Sequence, residues 1–326
     1  MTSKKPLLTI LIVACVVASV AVAGSFAYRV RKNVKPETPN TASVTGGGAA
    51  RRSPSPDDKS VARCSTGVPK PEERQRIESK FRDLLDDKFT PRPAGSVEIP
   101  VYVHIITSGD SSQGNVTDEV IDEQVKVLND AFAGRESQAG IATPFFFTLK
   151  GIDRTANDHW FNMTYNENQP TASELEAKTN LNHPNKGSLN IYTVGLITRP
   201  FGWGRYPWEQ SKEVDGIVIG YPTLPGGSAY DYNLGDSAVH ETGHWLGLYH
   251  TFQGGCYGAG DEVDDTPAEA VPAFGCPDTD APDTCPEIGG YDPTTNFMDY
   301  AYDQCMYEFT SDQVVRMDAM HFRWRT

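Results

Sequence analysis

The stretch His240-Glu241-Thr242-Gly243-His244-Trp245-Leu246-Gly247-Leu248-Tyr249-His250 constrains this chain more than any other, because its histidines can meet only if a helix is broken. On an α-helix residues four apart are separated by about 400° of rotation, so His240 and His244 point the same way. Continued as helix, His250 would lie roughly 15 Å along the axis from His240. The chain has to turn away first. Gly247 permits that turn, since a glycine just past a helix end adopts the left-handed conformation that side chains resist.

Three neutral imidazoles that leave a fourth position open describe a catalytic zinc site rather than a closed structural one, which makes His240, His244 and His250 the candidate Zn2+ ligands. Glu241 leaves the helix about 100° away from His240 and can meet a water instead of the metal. The combination predicts amide hydrolysis. Zinc acidifies its water and polarises a carbonyl, while Glu241 takes the proton and passes it to the leaving amine. No G-x-S-x-G element suggests a covalent route. His104, His159, His183 and His321 lack ligand spacing and read as packing or surface residues.

Followed by Asn296-Phe297-Met298-Asp299-Tyr300, the extended motif resembles the zinc helix and Met-turn of the metzincin zinc proteases. Within that clan the chain is similar to the pappalysin family through DGIVIGYPTLPGG before the motif, YHTFQGGC running out of it and GDEVDDTP beyond, across residues 96–326. The resemblance implies a secreted zinc endopeptidase in which Met298 forms an apolar floor under the metal. It also implies that the Tyr300 hydroxyl reaches the zinc or the developing oxyanion. By analogy with the clan, an edge strand at 215–221 would pair antiparallel with an extended substrate.

Cys256, Cys276, Cys285 and Cys305 fall in a stretch rich in Gly, Pro and Asp, and four cysteines allow three connectivities. The family pattern implies Cys256–Cys285 and Cys276–Cys305. No CxxC spacing supports a second, structural zinc. The same stretch is acidic: no Lys or Arg lies between Lys212 and Arg316. Asp261, Asp265 and the Thr266 carbonyl are candidate ligands for a structural Ca2+, the alternative being a solvated acidic surface. A formal net charge of −14 argues against nucleic acid as a partner.

At the amino end, Lys4 and Lys5 precede an apolar run from Leu7 to Tyr28 that contains Ala21-Val22-Ala23, which resembles a signal-peptidase site. Residues 1–28 read as a cleaved signal peptide. A retained membrane anchor is the alternative, because Arg29, Arg31, Lys32 and Lys35 follow the run. Either route leads to an extracellular location, consistent with glycosylation sequons at Asn115 and Asn162.

Residues 29–95 read as linker and pro-segment: 36–62 lack apolar periodicity, Arg51-Arg52 offers a processing point, and 71–89 has helical spacing with Ile77, Phe81, Leu84 and Leu85 on one side. Cys64 invites a latency-switch reading in which its thiolate fills the open zinc position. Family members with such a cysteine commonly carry Cys-Gly, whereas this chain has Arg63-Cys64-Ser65-Thr66.

Strands at 97–107, 144–150, 188–196 and 215–221 and helices at 118–133 (capped by Thr117), 235–246 and 310–322 give an α+β fold for residues 96–326. It is a mixed twisted sheet with two long helices, the second carrying the zinc motif, and an irregular disulfide-stapled C-terminal subdomain. Extracellular proteins or peptides are the expected substrates, and a pocket carboxylate from Asp299, Asp303, Glu308 or Asp312 would favour basic side chains. The competing reading is a catalytically idle metzincin-fold adhesion or interaction module.

Overall fold

The computed structural model describes residues 63–326 apart from 87–88, 139, 197–199, 210–211 and 278–281. The apolar run at 7–28, its cleavage site, the linker and Arg51-Arg52 lie outside the described residues, and among those that are described no helix is long and apolar enough to cross a membrane.

Among the described residues six α-helices and five strands follow one another as α1 (Pro71–Asp86), β1 (Val97–Thr107), α2 (Asp118–Phe132), β2 (Phe145–Ala156), α3 (Asp158–Phe161), α4 (Ala172–Leu181), β3 (Leu189–Val194), β4 (Gly202–Trp203), β5 (Ile217–Gly220), α5 (Asp236–Trp245) and α6 (Ser311–Trp324). The sheet order is β2-β1-β3-β5-β4, with β4 antiparallel to β5 and the other pairs parallel. Alternation along the central strands sorts the core into two layers. Ile99, Val101, Ile191, Ile217 and Ile219 face α2 and α5, while Ile106, Tyr192, Val194 and Val218 pack with Phe161, Met163 and Ala177 on the opposite face.

Two expectations need correcting. The strand at 215–221 is not the sheet edge: β5 is flanked by β3 and β4, so the edge is β4, which the sequence reading did not identify. A run such as Ile217-Val218-Ile219, buried on both faces, is the pattern of an interior strand. Thr117 holds the N-cap position of α2 without a side-chain cap bond; Thr310, by contrast, caps α6 through a full capping box with Gln313.

From Leu246 to Thr310 the described chain is irregular, with one short helical turn at Asp303–Cys305. Two disulfides, Cys256–Cys285 and Cys276–Cys305, each span 29 residues of sequence and interlock. In the chain-entropy model a loop of that length contributes about 3–4 kcal/mol. Helix α1 lies against α6, burying Ile77 and Phe81 and pairing Glu78 with Arg316 at 2.7 Å.

Candidate active site

Helix α5 is buried along its length and ends in a paired C-terminal motif: Leu248 N–H donates to Gly243 O at 3.0 Å and Gly247 N–H to His244 O at 2.9 Å. Gly247 has φ +99°, the left-handed region the turn requires, and the chain then carries His250 back to the helix. Gly243 is needed for a different reason. A Cβ there would collide with Met298 Sδ, so Met298, fully buried, sits directly beneath the helix between the two motif histidines.

The rings are oriented from behind. His240 Nδ1–H donates to Phe297 O at 2.6 Å, on the Met-turn, and His244 Nδ1–H to Leu248 O at 2.8 Å, in the turn after the helix. With their protons on Nδ1, both present Nε2 lone pairs inward. His244 Nε2 lies 3.2 Å from His240 Nε2 and 3.0 Å from His250 Nε2. Lone pairs that close repel unless a cation lies among them. Zinc–nitrogen bonds of 2.0–2.1 Å in tetrahedral geometry require a separation of about 3.3 Å, so the donor set fits a zinc ion. Burial drives all three imidazoles toward the neutral form: His240 and His250 are held well below the usual histidine range and His244 at about 4. Cys64 is the fourth member, the four ligand atoms lying within 4.8 Å of one another; no other such group occurs among the described residues.

Glu241 points into the same space. Burial pushes its carboxyl up to about 8, and its Oε2 is already engaged, accepting from Thr66 Oγ1 at 2.9 Å and from Cys64 Sγ at 3.4 Å. Thr66 Oγ1 in turn accepts from Gly204 N–H at 2.8 Å. Burial and the neighbouring Glu241 keep the Cys64 thiol well above its ordinary range. Tyr300 closes the cluster, its hydroxyl 3.3 Å from His250 Nε2 and donating to Cys64 O at 3.2 Å.

Residues 63–65 run alongside β4, parallel to it at Cys64 and Gly202: Phe201 N–H donates to Arg63 O at 2.8 Å and Ser65 N–H to Gly202 O at 3.0 Å. Arg63, whose role no local sequence pattern indicates, drives its guanidinium into a buried pocket. It meets Asp303 Oδ1 at 2.5 Å and Ala301 O at 2.9 Å and lies over the Tyr232 ring. Burial and Asp303 together push the adjacent Asp236 well above the ordinary carboxylate range.

Asp299, Glu308 and Asp312 have partners other than Arg63. Asp299 is fixed by Tyr300 N–H and Ala273 N–H beside the buried Glu269, Glu308 accepts from Thr295 Oγ1, and Asp312 lies among Asp264 and Asp265. Of the calcium candidates, Asp261 and Thr266 are buried, and neither Asp261 Oδ2 nor Thr266 Oγ1 has a hydrogen bond of ordinary geometry. Asp265 is exposed and its Oδ2 instead accepts from Asp312 N–H at 3.0 Å. Asn115 and Asn162 are exposed, although the Asn162 amide donates to Asp158 O. His104 pairs with Asp153 and Asn190, and His183 stacks on Tyr102, both away from the cluster.

A helix-borne histidine pair, a third histidine returned by a glycine turn and a methionine floor define a metzincin-type metallopeptidase site. The family model described as Pregnancy-associated plasma protein-A matches residues 189–321. The chain is 39% identical over 274 residues to an extracellular metalloprotease of Sordaria macrospora and 41% identical over 274 residues to one of Neurospora crassa, in each case covering 80% of this chain and 88% of the relative. A solved promirolysin mutant from Tannerella forsythia superposes with TM-score 0.65 at 27% identity, covering 79% of this chain and 93% of that one. Mature mirolysin in complex with a cleaved peptide gives TM-score 0.60 at 28% identity, over 71% of this chain and 97% of that one. The chain belongs to the pappalysin family of metzincin metalloproteases.

Proposed function

We propose that this protein is a secreted zinc endopeptidase made as a latent zymogen, with residues 1–28 as signal, 29–95 as linker and pro-segment and 96–326 as catalytic domain. The observation that carries the reading is the convergence of three Nε2 lone pairs, one carboxylate and one thiol in a single buried space. His240, His244 and His250 would hold the ion. When bound, zinc supplies a Lewis acid that acidifies water and polarises a peptide carbonyl. Once the segment carrying Cys64 and Thr66 leaves, the Glu241 carboxylate is free to take a proton from the attacking water and deliver it to the amide nitrogen as the C–N bond breaks. The Tyr300 hydroxyl, released from Cys64 O, donates to the oxyanion.

Latency rests on three contacts: Cys64 at the fourth ligand position, Thr66 on Glu241, and Arg63 on Asp303. An arginine buried against Asp303 supports a preference for a basic substrate side chain in that pocket. Asp261 and Thr266 are proposed to hold a structural Ca2+ with backbone carbonyls, and Asn115 and Asn162 to carry glycans. Secretion is supported by relatives named extracellular metalloproteases, and extracellular proteins or peptides would be the substrates. The test is cleavage of a quenched-peptide library by the activated chain, mapped by mass spectrometry beside Glu241→Gln. Cleavage next to basic residues, absent in the variant, is expected; the same cleavage in both would remove Glu241 from the mechanism.

A further inference from the structure

One buried carboxylate outside the cluster, Glu174, is hydrogen-bonded to the edge strand of the sheet and to Arg205 just beyond it. β4 pairs with β5 on one side, at Gly202–Ile219 and Trp203–Val218. On its other side Phe201 N–H and Gly202 C=O are the groups that residues 63–65 occupy. This short edge rests on α5. A Cβ at Gly202 would stand 3.2 Å from Glu241 Cγ, and one at Gly204 would stand 2.8 Å from Glu241 O and 3.3 Å from His244 Cβ. Where the edge sits therefore sets how far a paired main chain lies from Glu241 and the histidines.

Two backbone pairings do not fix such an edge firmly, and the additional restraint comes from α4. Thr171 caps that helix, and Glu174, fully buried in its first turn, reaches both neighbours of Gly204. Its Oε1 accepts from Trp203 Nε1 at 3.0 Å and from Arg205 Nε at 3.2 Å, and its Oε2 accepts from Arg205 Nη2 at 2.6 Å. One turn on, the equally buried Lys178 lies 3.0 Å from Glu174 Oε1 and donates to Val214 O at 2.8 Å, at the entry to β5. Burial raises the Glu174 carboxyl, but Lys178 and Arg205 outweigh it and hold the group below its ordinary range. Glu209, 3.5 Å from Arg205 Nη1, balances the second positive charge. Buried ion pairs are a poor source of stability compared with apolar packing of the same volume, whereas they fix geometry through directed bonds.

We propose that Glu174 is a positioning residue for peptide-bond hydrolysis: by gripping Trp203 and Arg205 it holds the edge at 202–205 over Glu241, so that an extended peptide pairing with it presents its scissile carbonyl to the metal cluster. This rests on the peptidase reading above.

The full chain, activated by limited proteolysis, tests it with kcat and KM measured separately on a decapeptide that can pair with the edge and a blocked dipeptide amide too short to do so. Trp203→Phe deletes one donor and keeps the ring packing, so the test survives if Glu174→Gln fails to fold. In both variants the decapeptide KM should rise and kcat fall, together lowering kcat/KM about tenfold or more, because pairing and presentation of the carbonyl both depend on the edge, while the dipeptide constants stay close to wild type. Arg205→Lys, which keeps the charge but not the fork, should fall between. Zinc content and Tm are read on the same samples. An unchanged decapeptide KM, equal losses on both substrates, or losses that track zinc content or Tm each overturn the proposal. A wild-type chain that cleaves neither peptide fails the peptidase reading first, and Glu174 with it.

Discussion

If the proposed preference for basic side chains rests on Asp303, replacing it by Asn should abolish that preference. Both side chains of the Arg63–Asp303 pair are at most 1% exposed, and the contact is 2.5 Å. At an effective dielectric near 20, two unit charges at that distance attract by about 6–7 kcal/mol. Desolvation removes part of this, and removal of one partner from a buried pair costs about 3–5 kcal/mol. Asn keeps an oxygen to accept from Leu234 N–H, which Asp303 Oδ2 does at 2.9 Å, so the pocket wall should persist. Taking the lower end, because Asn still accepts a neutral hydrogen bond, kcat/KM for a peptide with Arg in this pocket should fall about 100-fold. The matched peptide with Leu there should change by less than about threefold. Steady-state kinetics on Arg, Lys and Leu versions of one peptide give the answer. An Arg/Leu ratio unchanged by Asp303→Asn would refute the reasoning, because it would mean that Arg63 marks no substrate pocket.

Four further outcomes follow from the same geometry. Glu241→Gln should lower kcat by about 10²–10⁴ while zinc stoichiometry, measured by atomic absorption, stays at wild type. Cys64→Ala combined with Thr66→Val removes the thiol and the hydroxyl that occupy Glu241, and should speed conversion of the full chain to its mature form by about tenfold on a gel time course, with Arg63 still slowing it. Burial pushes Asp299 up to about 8, and burial together with the neighbouring Asp299 pushes Glu269 well above its usual range, so the folded state binds protons that the unfolded chain has released. Stability from this pair is full below about pH 4 and lost as pH rises through about 8. Glu269→Gln should therefore raise Tm at pH 8 by about 3 °C or more and flatten its decline, as read by calorimetry. Finally, calcium removal with EGTA should lower Tm in the wild type and leave an Asp261→Asn variant unmoved, if Asp261 and Thr266 hold the ion.

What the sequence made legible was whatever rotation arithmetic or a local backbone requirement could encode. The spacing of His240 and His244 and the left-handed turn at Gly247 need no knowledge of the rest of the fold. The missed parts lack such local signals. Helix α4 turns Glu174, Ala177 and Lys178 inward, so its buried face is largely charged and yields no apolar stripe. β4 is only Gly202–Trp203, too short for alternation. Ile217-Val218-Ile219 carries the continuous apolar run of an interior strand, a local signal that argues against 215–221 as the edge. Arg63 and Thr66 act through partners more than 170 residues away, which no local pattern announces. Among Asp299, Asp303, Glu308 and Asp312, only the folded chain distinguishes the acid that meets a buried guanidinium from those bonded to neighbouring backbone or lying at the surface.

One zinc ion should be held by His240, His244 and His250, with the Cys64 sulfur in the fourth position until activation. Zinc-edge X-ray absorption on the full chain, before and after proteolytic activation, addresses this in a single experiment. Before activation the spectrum should fit one sulfur at about 2.3 Å and three nitrogens at about 2.0–2.1 Å, and afterwards the sulfur should be replaced by a light atom. No stoichiometric zinc, no sulfur in the latent chain, or a sulfur that persists in an enzyme cleaving peptides would contradict the account.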